Sequence, residues 1–165
     1  MQSNTQELTP NKYIKSLSII HMTLLAGMIL FGGFVLFQFS GGITPALDTN
    51  DTLLLVFPVI VVVAILASQA IFKKLIVATE SKTDLKSKLV GYQTATIIKL
   101  ALIEGPAFFG IVLSMTTGNT AYIAIAIVLV IYFLLQKPTL TKVERDLKLR
   151  GELRNQFNRY DEVID

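Results

Sequence analysis

Glu104, followed directly by Gly105 and Pro106, sits in residues 97–113 (IIKLALIEGPAFFGIVL), a stretch otherwise interrupted by one charge, Lys99. An acid at the centre of a membrane helix costs about 2.5–3.5 kcal/mol on insertion scales, so such a side chain needs compensation. Three kinds of chemistry offer it. Glu104 can be a neutral acid that hydrogen-bonds within its own fold. It can pair with a Lys or Arg of a partner subunit. It can exchange a proton or sodium ion. Lys99 is five residues away, about 140° around a helix, and does not share its face. Partners at similar depth are Ser68 and Gln69 near the end of the second apolar block and Tyr132 near the end of the fourth. His21 lies one to two turns nearer the basic end. Pro106 removes the backbone donor that the Leu102 carbonyl would use and predicts a kink. Together these residues predict a polar cluster in one half of the bilayer.

Other chemistry is sparse. The chain has no cysteine and a single histidine, His21, so neither a thiolate nor a metal site is expected. Gly32-Gly33 and Gly41-Gly42 lack the Lys-Ser/Thr that follows a phosphate-cradling loop. No nucleophile–base pair is evident. The chain reads as a non-enzyme without cofactor.

The elements that position these residues are apolar blocks. Of 165 residues 52% are hydrophobic and 16% charged, and the apolar ones cluster at about 19–39, 53–72, 97–115 and 120–136. Each approaches the roughly 20 residues of a spanning helix. The first is too long, and lacks the cleavage site, for a removed signal. Outer-membrane barrel strands would alternate apolar with polar residues, and these blocks do not. Lys12 and Lys15 precede the first block, five lysines lie in residues 73–96, and Lys137 with six further basic residues follows the fourth. The segments 40–52 and 116–120 carry no Lys or Arg. The positive-inside rule puts both termini and the 73–96 connection in the cytoplasm of an inner or plasma membrane. Lys99 is near enough to that side to snorkel.

Capping signals refine the ends. Asp51 reads as the N-cap of a second helix running to about Thr79. Ser81-Lys82-Thr83-Asp84 has capping-box spacing, so residues 73–96 read as a helical hairpin with Gly91 as its weak point. In the tail, 137–165, apolar residues recur at helical spacing between charges, with a second capping box at Thr141–Glu144 and a break near Gly151. That pattern fits an amphipathic helix lying on the membrane surface or docking a partner. Seven basic and six acidic residues in the tail make nucleic acid an unsuitable partner.

The first and third blocks also resemble each other. Ile19, Ile20, Leu24, Gly27, Phe31 and Gly32 align without a gap with Ile97, Ile98, Leu102, Gly105, Phe109 and Gly110. This predicts two tandem parallel hairpin repeats about an axis along the membrane normal. Thr23–Gly27 and Ala101–Gly105 have small-xxx-small spacing, extended by Gly32 and Gly110, and predict close packing of the first span on the third. The second and fourth spans would then lie outside.

Residues 101–114 (ALIEGPAFFGIVLS) resemble the carboxylate-bearing helix of rotary ATPase proteolipid subunits, which implies ion exchange at Glu104. They depart from it in placing the acid on the first helix of a hairpin and in carrying a charged tail. The whole chain more closely resembles small four-span bacterial inner-membrane proteins, which implies the topology and no chemistry. The expectation is an all-α, four-span bundle with a cytoplasmic amphipathic tail. Its partners would be the lipid bilayer and other membrane subunits or further copies of itself. The expected role is an accessory or scaffold subunit; the alternative is an oligomer conducting protons, cations or a small solute through Glu104.

Overall fold

The computed structural model describes residues 8–40 and 47–164; the N-terminal seven residues, the Gly41-Gly42 pair and Asp165 lie outside the described residues. Six helices form: α1 (Pro10–Ser40), α2 (Thr52–Thr79), α3 (Leu85–Thr117), α4 (Thr120–Leu134), α5 (Leu140–Asp146) and α6 (Gly151–Asn158). The first three are long and apolar enough to cross a membrane, and α4 is a shorter apolar helix. At 1.5 Å per residue, α1 and α3 are about 45–50 Å long and exceed the roughly 30 Å of bilayer hydrocarbon. Their surplus length emerges at the end of the bundle where the basic residues gather.

Local chemistry sets the ends. Asp51 caps α2 by accepting from the Leu53 N–H. The cap of α3 is Asp84, which accepts from Ser87, rather than Ser81, whose hydroxyl turns back to the Ala78 carbonyl. Likewise α5 starts from Thr139, not Thr141. In both cases the capping residue is the one with extended backbone immediately before the first helical residue, which places its side-chain oxygen over the free N–H groups. Gly118, at φ 71°, ends α3 in the left-handed conformation that glycine adopts without penalty. Lys88 is buried, and its Nζ donates to the Thr79 and Glu80 carbonyls at 3.0 and 3.1 Å. A cation thereby closes the carbonyl end of α2. Residue 91 is not a weak point in this hairpin. A Cβ there would collide with the Thr79 side chain, so glycine lets α3 approach α2 closely.

α3 is the axis of the bundle. α2 and α4 pack along it, while α1 lies against α3 and α4 and has at most marginal contact with α2. The expected inner pair of first and third spans is therefore replaced by one central helix and three around it. The two hairpins are not packed equivalently, since α3 and α4 are close neighbours and α1 and α2 are not. α3 continues through Pro106 as one helix.

The tail forms two short helices with the expected break near Gly151, where Lys148 and Gly151 take positive φ. Its apolar face is covered within the chain. Val143, Leu147, Leu149, Phe157 and Ile164 are buried with Tyr13 and Leu17 of α1, Ile76 of α2 and Leu85, Leu89 and Tyr92 of α3. Backbone hydrogen bonds join Ile164 N to Leu8 O (2.8 Å) and Asn11 N to Tyr160 O (3.0 Å). The tail is thus the lid of a second core built on the ends of α1, α2 and α3.

The opposite end is closed by a polar knot. Tyr122 Oη donates to Asp51 Oδ2 at 2.6 Å, and Asn119 Nδ2 donates to the Asp48 carbonyl at 2.8 Å. Hydrogen bonding, above all from Tyr122, holds the Asp51 carboxyl below the usual carboxylate range. A depressed folded-state pKa adds stability above the unfolded value and loses it as pH falls through the folded one. Acidification below about pH 4 is therefore expected to lower the melting temperature, and Tyr122→Phe to reduce that response. An identical acid response in Tyr122→Phe would show that Asp51 does not contribute this way.

Candidate functional site

The structure places the polar residues expected to surround Glu104 at three contact points, of which those of Gln69 and Lys99 line one cleft. On α1, His21 is buried and stacks on the Phe133 ring of α4, with centroids 4.9 Å apart. Its Nε2 lies 2.9 Å from the Phe133 carbonyl. A carbonyl only accepts, so Nε2 carries the proton and Nδ1 is left buried without a partner. The same carbonyl also accepts from the Gln136 N–H at 2.9 Å, so His21 takes up its second lone pair. Between α2 and α4, Gln69 Nε2 donates to the Tyr132 hydroxyl at 2.7 Å. Ser68 is buried, and its hydroxyl returns to the Ile65 carbonyl of its own helix. Lys99 turns its ammonium over the Phe72 ring, 4.8 Å from the centroid.

Glu104 joins none of them. It is half-buried, and no hydrogen bond or ion pair links it to another described residue. The expected cluster around it does not form, because its supposed partners are already bonded to helix carbonyls, to each other or to an aromatic face. On α3, Glu104 is one turn from Phe108, the side chain that meets Gly27 and Phe31 of α1. It therefore borders the seam between α1 and α3. Just beyond it the surface opens: Ala101 and Gly105 are exposed, and a Cβ on Gly105 would touch nothing within 4 Å. Thr23, one turn from Gly27 on α1, is exposed too.

No family model, curated protein or solved structure matches the chain.

The small residues divide by what they face. Gly27 and Gly32 do lie against α3: a Cβ added there would sit 3.7 Å from Phe108 and 3.6 Å from Ile111. Gly110 instead faces α2 and α4, against Phe57 and the Tyr122 backbone. Thr23, Ala101 and Gly105 are exposed instead of buried in the expected seam. The reason is geometric: α1 meets α3 through Phe108 and Ile111, nearly a quarter-turn round from the Ala101–Gly105 stripe. No group of three His, Asp or Glu side chains able to hold a metal occurs among the described residues. Sequence reading missed the Lys88 cap, the Tyr122–Asp51 bond and the pairing of Tyr92 with Asp146 at 3.3 Å. A signal existed for Asp51 and Asn119, which stand directly before apolar runs.

Proposed function

We propose that the chain is a non-enzymatic, four-span inner-membrane protein with both termini cytoplasmic, acting as an accessory or scaffold subunit of a membrane complex. The asymmetry of basic residues supports the orientation. The likeness of residues 18–32 and 96–110 supports a duplicated ancestry, although the two halves have since packed differently. One observation carries the function: a carboxylate within an apolar helix has no partner among the described residues and borders an open stripe of small residues. In hydrocarbon such a group needs a partner, and small residues let a neighbouring helix approach closely. The association face on this reading is Thr23, Ala101, Glu104 and Gly105. The tail is occupied by its own core, so the span surface is the better interface.

Because the chain lacks cysteine, single thiols report contacts cleanly. Ala101→Cys in native membranes is expected to give a discrete thiol-crosslinked adduct, whereas Leu55→Cys, on α2 at 74% exposure, gives none. An intramembrane polar contact is worth about 1–2 kcal/mol, so Glu104→Leu should weaken the adduct by roughly tenfold. If Glu104→Gln restores it, the acid is a neutral hydrogen-bond donor; if not, it pairs with a cation. Equal labelling at 101 and 55, with the protein alone after gentle extraction and intact-mass analysis, would remove the scaffold reading. Proton or sodium flux in liposomes that Glu104→Gln abolishes, with the fold retained, would put ion conduction in its place.

A further inference from the structure

Where the bundle meets the tail, a cleft opens between α2, α3 and α5. A partly open cavity of about 80 Å³ and a wider one of about 450 Å³ share Phe72, Lys99, Arg145 and Asp146 as walls. Their combined lining includes five cations, Lys73, Lys99, Lys142, Arg145 and Lys148, against two anions, Glu80 and Asp146. Both anions are already engaged. Glu80 pairs with Lys148 at 2.9 Å. Asp146 pairs with Arg145 at 3.0 Å and accepts from the Tyr92 hydroxyl. Lys142 spends its ammonium on the Leu135 and Lys137 carbonyls, at 3.0 and 2.9 Å.

Lys73 and Lys99 are the cations left over. Asp146 is within electrostatic reach of Lys99 but forms no ion pair with it, and the one close partner of Lys99 is the Phe72 ring. A ring face does not neutralise an ammonium that is half withdrawn from water. Exposed Lys73 stands on the rim. The buried Thr96 hydroxyl lines the smaller cavity; it is near enough to the Tyr92 phenol to interact but makes no hydrogen bond of good geometry. The cleft therefore offers unspent positive charge and a spare hydroxyl.

Its level identifies the ligand. The walls include Gln69 and Phe72 at the end of the apolar run of α2, and Gln136 and Pro138 just past α4. One turn deeper, Leu66 of α2 and Ile131 of α4 are 64% and 57% exposed. Charge at headgroup depth above bare apolar helix matches an anionic phospholipid, phosphate up and acyl chains down. We infer that this cleft binds the phosphate of an anionic phospholipid of the inner leaflet, with Lys99 as the principal contact, Arg145 adding the edge of its guanidinium that is not turned to Asp146, and Lys73 at the rim. The inference uses the membrane orientation proposed above and is independent of the Glu104 face.

Native mass spectrometry of the delipidated full-length protein in detergent tests it, with phosphatidylglycerol titrated against phosphatidylcholine. The anionic lipid is expected to bind preferentially at one saturable site. Each basic residue near a membrane surface contributes enough that Lys99→Gln and Arg145→Gln should each weaken binding about fivefold. Lys99→Arg should retain it, and so should Lys86→Gln, an exposed lysine outside the cleft. Retained binding in Lys99→Arg guards against reading a folding defect as lost affinity. The inference fails if both lipids bind alike, or if Lys86→Gln weakens binding as much as Lys99→Gln. It fails too if soluble glycerol phosphate binds as tightly as the lipid, because the cleft would then be a site for free phosphate esters.

Discussion

Phe157→Ala is expected to destabilise the protein by about 3–5 kcal/mol, the range for removing a fully buried aromatic ring. The side chain is wholly buried in a core assembled from both ends of the chain and the 73–96 hairpin. No single segment can close over the resulting cavity, because α1, α2 and α3 are held by the span bundle below it. Thermal unfolding in mild detergent measures the loss. Limited proteolysis locates it: Arg154 and Arg159, on or beside α6, should become early cleavage sites. Tyr160→Ala provides the contrast, since that ring is 42% exposed and its removal should have little effect. If Phe157→Ala leaves the melting temperature and the protease pattern unchanged, the tail is not docked as described.

Alanine at two glycines of α3, Gly110 and Gly105, is expected to have opposite effects. At Gly110 a Cβ would come within 2.7 Å of Phe57 Cζ and 3.3 Å of the Tyr122 carbonyl oxygen. Phe57 cannot swing aside, being buried and held edge-on by Phe109 and Tyr122 at 5.9 and 5.6 Å. Overpacking of this kind costs about 1–3 kcal/mol, more than the roughly 1 kcal/mol that alanine returns in helix propensity. At Gly105 the space is open, so alanine there should be neutral or stabilising in the isolated protein. The same Gly105→Ala change should still weaken crosslinking at the proposed association face. Equal effects of the two alanines on unfolding would contradict the arrangement around α3.

The sequence disclosed the features that depend on neighbours along the chain. The apolar blocks, the Asp51 cap, the end of α2 at Thr79 and the early start of α3 follow from local hydropathy and capping chemistry. Features that depend on which face meets which were obscure. An amphipathic tail records that one side is covered, and Val143, Leu147 and Phe157 carry no mark saying by what. Within a span the difficulty is greater, because lipid tails are as apolar as leucine. Residues 23, 101 and 105 therefore look like an internal seam from spacing alone, yet they are exposed. Glu104 stood out as an acid in an apolar run, but that its neighbours were already committed could be seen only in three dimensions.

The stitching of residues 160 and 164 to residues 11 and 8 sets an order of events during synthesis. All the apolar helices are translated, and can be threaded into the bilayer, before the ribosome releases the segment that covers Tyr13 and Leu17. Until residues 140–164 arrive, the nascent protein leaves the apolar flanks of Tyr13, Leu17 and Leu89 bare. A chain stalled before residue 140 would keep them so.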